Sequence, residues 1–543
     1  MSFLLQLPCF AVDSRVNGAA ATVHPLATRA ALGALQASGN AIDAAVAAAL
    51  TLGVVDGHNS GIGGGCLMLV RLKDGRFFAI DGRERAPAAV TPESFRRFGK
   101  VDTQLSQTGA FAIAVPGALA AYAYAITNFG KLTLSNHLEH AARLAEQGFP
   151  IDRRYAGRIA DTAVELAKFE ASREIFLNEK GSPKKNGTVL KQLDLALSYR
   201  QIARHGLDWF YLGSFPTAVA FWMRQQKGPI DDHDFRVYAI KLREPVRSTY
   251  RGYEIVGFPP PSSGGYHVAQ ILNILEAFDL KAMKRDSADF VHVVTEAMKL
   301  AFADRAYWLG DPDYVQVPHE LTSKEYGQRL AAKINWKAAS AVEGHGDPAA
   351  GGTDPAAQHT THFSTADMEG NWVACTSTLN TSFGSKAVIP GTGIVMNNQM
   401  DDFSLEPGVA NYFGLIGSAA NAVAPGKRPL SSMSPTILLK DGRPVAALGA
   451  AGGPTIISQT VLAIVGMIDF GMKPEQALAQ PRFHHQWKPD ELRLEKEFGS
   501  SIVRELERRG HHVKRVEPFG ATQWVGWNGD GKDWISVVEP RLK

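Results

Sequence analysis

Residues 358–367 read QHTTHFSTAD. Ahead of them lies KAASAVEGHGDPAAGGTDPAA (337–357), rich in Ala, Gly and Pro without an apolar period, which reads as a flexible surface segment. Within and behind them, THFSTAD and NWVACTSTL read as two strands joined by MEG into a hairpin. Threonine is common at strand starts, and that is the plain reading of Thr360 and Thr361. The second reading is chemical. A threonine hydroxyl is a poor nucleophile unless a base stands beside it. An N-terminal threonine carries that base in its own α-amine, whose pKa of about 7.7–8.0 leaves a fair fraction neutral at working pH. Reaching that state inside a chain requires cutting the preceding peptide. A flexible segment ending at a strand start can be released without disturbing the sheet.

Outward from this seam the chain changes texture once, near residue 359. A long mixed part precedes it and a shorter β-rich part follows. In the second part, PTILLKDGRPVAALGA (435–450) is another hairpin, turning at Asp441-Gly442. TIISQTVLAIVGMIDFG (455–471) reads as a helix buried on several faces. In the first part, residues 25–54 read as two alanine-rich helices broken at Gly39-Asn40, with Gly39 as the left-handed residue closing the first. NSGIGGGCLMLVRLKDGRFFAIDGRERAP then gives a strand, an Asp74-Gly75 turn and a second strand. Its glycine run lacks G-K-[ST], and Cys66 stands in the sixth place of G-x-G-x-x-G, so close backbone packing is the expected role. Residues 115–225 are helical in spacing. Residues 249–258 read as one strand leading into FPPPSSGG, a rigid turn. SADFVHVVTEAMKLAFAD (287–304) is an amphipathic helix with Ser287 as its N-cap. Hairpins set among helices predict an α+β fold, a four-layer αββα sandwich.

Composition narrows the function. The 543 residues are 45% hydrophobic and 20% charged, an ordinary globular balance. Lys+Arg of 57 against Asp+Glu of 54 leaves +3, which implies no nucleic-acid partner. The three cysteines, Cys9, Cys66 and Cys375, form no C-x-x-C pair, and no H-E-x-x-H occurs, so neither a disulfide framework nor a metal site is expected. No run of 18 apolar residues spans a membrane. The opening MSFLLQLPCFAVDS has a short apolar run without the positive start of a secretory signal.

Polar or glycine-rich clusters recur at strand ends of the second part: STLNTSFG (377–384), NNQMDDFS (397–404), KRPLSSMSP (427–435) and GAAGGP (449–454). Together they supply an amide, carboxylates, paired hydroxyls and free backbone N–H groups. Those are the parts of an acyl-transfer site with an oxyanion hole.

At these residues the chain resembles the γ-glutamyltranspeptidases (glutathione hydrolases), members of the N-terminal nucleophile hydrolase superfamily. The likeness runs in family order from HPLAT (24–28) and GNAIDAAVA (39–47), through DGRERAPA and PPPSSGG, to PRFHHQW (481–487). It implies self-cleavage between His359 and Thr360, giving a large subunit 1–359 and a small catalytic subunit 360–543 that stay together as one αββα heterodimer. Thr360 is then both the agent of processing and the catalytic nucleophile, and Thr378 is the threonine that hydrogen-bonds it. The resemblance assigns the substrate ammonium to Asn380, Gln399 and Asp402, and the substrate carboxylate to Arg83, Ser431 and Ser432. A guanidinium fork and two hydroxyls suit a carboxylate. Gly452 and Gly453 become the oxyanion hole, ahead of a helix whose first position is Pro454. The activity implied is transfer of a γ-glutamyl group from glutathione or another small γ-glutamyl compound to water or to an amino acid or peptide. No cofactor is implied, and the compartment implied is periplasmic or secreted.

The chain departs from many bacterial members of that family at three places: Gly82 where they carry Phe, Pro454 where they carry Ser, and Phe413 where they carry Tyr. The lid is SLEPGVANYFGL (404–415). A Tyr at 413 can hydrogen-bond Asn380; Phe413 cannot, although Tyr412 is adjacent. A mobile, weakly closing lid follows. Two rival readings stay open: the same fold acting on cephalosporin acyl side chains or poly-γ-glutamate, and an uncleaved protein that only binds γ-glutamyl ligands.

Overall fold

The computed structural model describes residues 17–346, 360–527 and 533–542. Two six-stranded antiparallel sheets form its centre. Their strands are β1 (Gly18–Thr22), β2 (Gly65–Arg71), β3 (Phe77–Gly82), β4 (Lys241–Arg243), β5 (Val246–Tyr250), β6 (Tyr253–Gly257), β7 (Thr361–Asp367), β8 (Trp372–Thr378), β9 (Thr436–Lys440), β10 (Arg443–Gly449), β11 (Gln523–Trp527) and β12 (Trp534–Val538). One sheet runs β1-β7-β8-β2-β3-β4 and the other β12-β11-β10-β9-β6-β5. Each therefore combines strands from both sides of residue 360.

Side chains alternate along each strand, so each sheet buries two faces. On β2, Leu67 and Leu69 join Ala366, Ala374, Ile437, Leu439, Ala447 and Val525 in the core between the sheets. Cys66, Met68 and Val70 point the other way, against helices α1 (Pro25–Gln36), α2 (Ala41–Val55), α3 (Ala118–Phe129), α4 (Leu134–Gln147) and α5 (Leu193–His205). On the far side Ile255, Leu438, Ala446 and Leu448 pack against α6 (Gly264–Leu275), α7 (Ala288–Trp308) and α8 (Thr455–Ile468). Helix, sheet, sheet and helix make the expected four layers. No helix among the described residues is long and apolar enough to cross a membrane.

Several local expectations are met. Asp441 and Gly442 adopt φ 50° and 73°, the left-handed pair that a two-residue hairpin needs. The Ser287 hydroxyl accepts from Phe290 N at the start of α7. The glycine run packs as expected: a Cβ would meet Val395 O at 2.0 Å from Gly63, Thr378 O at 2.0 Å from Gly64, and the Glu84 carboxylate at 2.4 Å from Gly65.

Three details differ. Ser38, at φ 66°, takes the left-handed position after α1. Gly39 is needed instead for space, because a Cβ there would lie 2.6 Å from Ala34 O. Residues 249–258 are not one strand: Arg251 and Gly252, both at positive φ, fold them into the β5–β6 hairpin. Pro454 sits one residue before α8, at its N-cap. Of the segment 337–357, residues 337–346 are irregular and 347–357 lie outside the described residues.

Candidate active site

Thr360 stands at the mouth between the two sheets. The β7–β8 register pairs Thr361 with Ser377, which carries Thr360 opposite Thr378. Alternation then sets their directions. Thr361 turns toward the helices, where its hydroxyl donates to the buried Asp56 carboxylate. Thr360, His362 and Ser364 turn inward, with the His362 ring on Gly449 of the facing sheet, where a Cβ would be 2.4 Å away. Burial holds His362 down to about 3, hence neutral.

The hydroxyl oxygens of Thr360 and Thr378 are 3.5 Å apart. Thr378 Oγ1 also accepts from Asn380 N at 2.8 Å. One lone pair of Thr378 is thus occupied, and either hydroxyl can donate across the Thr360–Thr378 contact. Asn380 reaches the pocket by a different route from strand alternation. β8 ends at Thr378, and Asn380 turns inward at φ 80°, a conformation asparagine tolerates.

Around Thr360 the pocket is lined by Arg83, Arg305, Thr378, Asn380, Gln399, Asp402, Phe413, Ser431, Ser432 and Gly453, among others. Its free space is about 20 Å³, room for about one water. Gly452, adjacent to Gly453, does not border it directly. Both glycines have positive φ, 136° and 56°, and neither N–H has a hydrogen-bond partner among the described residues. Unpaired buried N–H groups are rare. This pair stands just ahead of α8, where the helix dipole favours negative charge.

The charged groups divide into two sides. Arg83 is fully buried, donating from Nε to Pro429 O at 3.0 Å, from Nη1 to Glu84 Oε2 at 3.3 Å and from Nη2 to Asp402. Burial pushes the Glu84 carboxyl up to about 7, and raises Asp402 against the opposing pull of Arg83 and Arg305. Gln399 Nε2 donates to Asp402 Oδ2 at 3.0 Å, and Gln399 Oε1 is buried with no partner. Asn380 anchors its Nδ2 on Asn398 O at 2.9 Å, leaving Oδ1 unengaged among the described residues. Gln399 Oε1, Asn380 Oδ1 and Asp402 therefore form an acceptor side. Ser431 and Ser432 form the donor side with Arg83. Ser431 Oγ accepts from Met433 N at 3.1 Å and Ser432 Oγ accepts from Arg305 Nη2 at 2.9 Å. Neither hydroxyl proton has an acceptor among the described residues.

In the lid, Phe413 lines the pocket and is 3% exposed. Tyr412 does not line it and is 39% exposed. The Tyr412 backbone N–H donates to Asp401 Oδ2 at 2.7 Å, which ties the lid to the acidic turn. His359, the other side of the expected cleavage point, lies outside the described residues.

Sequence reasoning missed Arg305, Ser263 and Glu84. Arg305 lies on α7 and donates from Nε to Ser263 Oγ at 2.8 Å. PPPSSGG was legible only as a turn. It also braces the serine pair, since Ser263 N and Oγ both donate to Ser431 O at 2.8 Å. Elsewhere His292, Glu296 and His511 bring ligand-type atoms within 4.8 Å of one another. The two rings hydrogen-bond each other at 2.7 Å and Lys299 Nζ donates to Glu296 at 3.0 Å, so the cluster is internally satisfied.

Comparison with known proteins bears on the family and the fold. The family model described as Gamma-glutamyltranspeptidase matches residues 27–543. The "Glutathione hydrolase proenzyme" of Escherichia coli (strain K12) is 42% identical over 529 residues, covering 97% of this chain and 90% of that protein. The "Acylase ACY 1 proenzyme" of Pseudomonas sp. (strain SE83) is 40% identical over 525 residues, covering 95% and 90%. Among solved structures, a cephalosporin acylase from Bacillus halodurans superimposes with TM-score 0.87 at 30% identity, covering 100% of this chain and 98% of that one. The γ-glutamyltranspeptidase of Helicobacter pylori gives 0.58 at 35% identity, covering 60% and 93%.

Proposed function

The chain belongs to the γ-glutamyltranspeptidase family, and from that premise we propose that it is a self-processing enzyme that cleaves γ-glutamyl amides through a threonine ester. The observation that carries the reading is the split pocket beside Thr360. It brings acceptors, Gln399 Oε1 and Asn380 Oδ1 with Asp402, into one pocket with the hydroxyl donors Ser431 and Ser432 and with Arg83, which meets Asp402 where the two groups adjoin. A γ-glutamyl group ends in an ammonium and a carboxylate on one carbon, and buried charges of either sign need such partners.

Processing begins when the Thr360 hydroxyl attacks the carbonyl carbon of residue 359. The hydroxyl proton passes to the departing nitrogen, which becomes the free Thr360 α-amine as the ester forms on Oγ1; water then hydrolyses that ester, giving the carboxylate of residue 359 and restoring the Thr360 hydroxyl. In turnover that amine takes the hydroxyl proton as Oγ1 attacks the γ-carbonyl of the donor. The developing oxyanion meets the unpaired N–H groups of Gly452 and Gly453. Collapse expels the donor's amine, protonated by the Thr360 ammonium, and leaves a γ-glutamyl ester on Thr360. Water, or the amine of an amino acid or peptide, then releases the acyl group. Thr378 orients the nucleophile throughout, and the two products of processing, 1–359 and 360–543, remain paired.

The test is denaturing electrophoresis with N-terminal sequencing of the smaller band, together with hydrolysis of γ-glutamyl-p-nitroanilide. The smaller band should begin at Thr360, and Thr360→Ala should give one uncut, inactive chain. An active, uncut chain overturns the reading. The full-length likeness to a cephalosporin acylase supports a second substrate class, acyl groups with a carboxylate and no ammonium. A faster rate on glutaryl than on γ-glutamyl amides would favour it.

A further inference from the structure

The proposed function leaves one charged group in the pocket without a role. Arg305 is 4% exposed and projects from α7 into the same space as Arg83. It has no carboxylate partner among the described residues. Its hydrogen bonds are to two hydroxyls, Ser263 Oγ at 2.8 Å from Nε and Ser432 Oγ at 2.9 Å from Nη2. Nη1 makes none. Asp402 is the single carboxylate among the described residues lining the pocket, and it already hydrogen-bonds Arg83. Two guanidinium groups thus face one pocket-lining carboxylate, and the other acid in contact, Glu84, lies against Arg83 and not Arg305.

A buried arginine usually has an acidic partner, because the uncompensated charge is costly. Here the cost is visible: burial lowers Arg305 to about 10, with Asp402 pulling it back up and Arg83 adding to the fall. A group held in that condition is relieved when an anion enters.

The hydroxyl geometry gives the direction. A serine hydroxyl has one proton and two lone pairs. Arg305 Nη2 fills a lone pair on Ser432, so Ser432 is left to donate, and its proton has no acceptor among the described residues. On the other side, Ser263 passes the same chain onward: it accepts from Arg305 Nε and donates to Ser431 O, which fixes the Ser431-Ser432 backbone. Arg305 therefore acts on both serines at once.

We propose that Arg305 is a positioning residue that selects donors carrying a carboxylate, by fixing Ser432 as a hydrogen-bond donor into the pocket and by adding a second buried positive charge beside Arg83. The proposal rests on the acyl-transfer reading and names the group within the donor that Arg305 serves. An Arg305 of purely structural purpose would hold α7 to the serine turn and treat all donors alike.

Three p-nitroanilides separate the two. The γ-glutamyl compound has ammonium and carboxylate, the glutaryl compound has only the carboxylate, and the 4-aminobutanoyl compound has only the ammonium. For Arg305→Gln the loss in kcat/KM on the first two donors should be about 10- to 100-fold, mostly in KM, with the third changed by less than about threefold. Arg305→Lys should recover part of the loss through its charge. An equal loss on all three donors overturns the proposal. Self-processing of each variant, read as two bands, reports that it has folded. Should Arg305→Gln remain uncut, Arg305→Lys carries the same test: it keeps the charge and removes the fork that reaches both Ser263 and Ser432. A loss confined to carboxylate donors supports the proposal, and a loss shared by all three overturns it. Wild-type protein that cuts itself correctly yet hydrolyses none of the three donors refutes the substrate reading itself, a result distinct from any variant's selectivity.

Discussion

The Arg83 guanidinium and the Asp402 carboxylate hydrogen-bond each other inside the pocket. Each is the group expected to hold one charge of a substrate that carries both. In the free site they satisfy one another, so neither is left buried and uncompensated. A zwitterionic donor exchanges that one pair for two. The pocket that holds the pair has about 20 Å³ of free space.

Asp402→Asn breaks this exchange while keeping the shape. The ammonium loses its counter-charge and Arg83 keeps only Glu84 as an acidic neighbour. We expect kcat/KM for γ-glutamyl-p-nitroanilide to fall about 100-fold, chiefly through KM, with self-processing retained. Steady-state kinetics on the processed variant measure it, and a loss under about threefold contradicts the assignment.

Thr378→Ala removes the hydroxyl 3.5 Å from Thr360 and strands the Asn380 N–H that it accepts. Both processing and turnover use the same nucleophile, so both should slow. The expected fall in kcat is about 10- to 100-fold, with KM nearly constant. Thr378→Ser should restore most of it. Time courses of band appearance and initial rates give the two numbers.

Glu84 predicts how stability depends on pH. Burial raises its carboxyl from 4.5 to about 7. Between those values the folded state holds a proton that the unfolded state has released. Stability contributed by this proton is present below about 4.5 and declines as pH rises through about 7. Glu84→Gln mimics the protonated form and should flatten that limb. Thermal unfolding of both proteins from pH 5 to 8 should show wild type losing Tm relative to the variant as pH increases; parallel curves would sink the prediction.

Phe413→Tyr tests the lid. Phe413 lines the pocket, and Asn380 Oδ1 has no hydrogen-bond partner among the described residues. A hydroxyl at 413 can donate to it. The expected result is a KM lower by about 3- to 10-fold and slower hydrogen exchange across residues 404–415. No change in either measurement would mean that the lid closes through its apolar contacts, Phe413 and Leu415, and through the Asp401 tie alone.

The parts of this fold carried by local chemistry were legible in the sequence. Asp441-Gly442 and Asp74-Gly75 announced their hairpins, Ser287 its helix, and the run around Thr360 a strand start with a chemical alternative. Thr360, Thr378, Asn380, Gln399, Asp402, Arg83 and the serine pair do come together in one pocket. What could not be read was burial of charge. Arg305 looks like any polar residue near the end of an amphipathic helix, and only the packing of α7 against the serine turn brings it inside. Gly39 was expected in the left-handed position that Ser38 takes, and is needed instead for the tight space beside Ala34 and Asp43. Asn380 lies past the end of its strand, and its inward turn at φ 80° carries no signal in the sequence.

Because β1 hydrogen-bonds to β7 and the second sheet is completed only by β11 and β12, a nascent chain cannot assemble this architecture until residue 538 has left the ribosome. The pocket, too, waits for late sequence, since Arg83 must meet Gly453 and Ile456. On the proposed mechanism, the bond in front of Thr360 is then cut only after the strands that complete both sheets have been made.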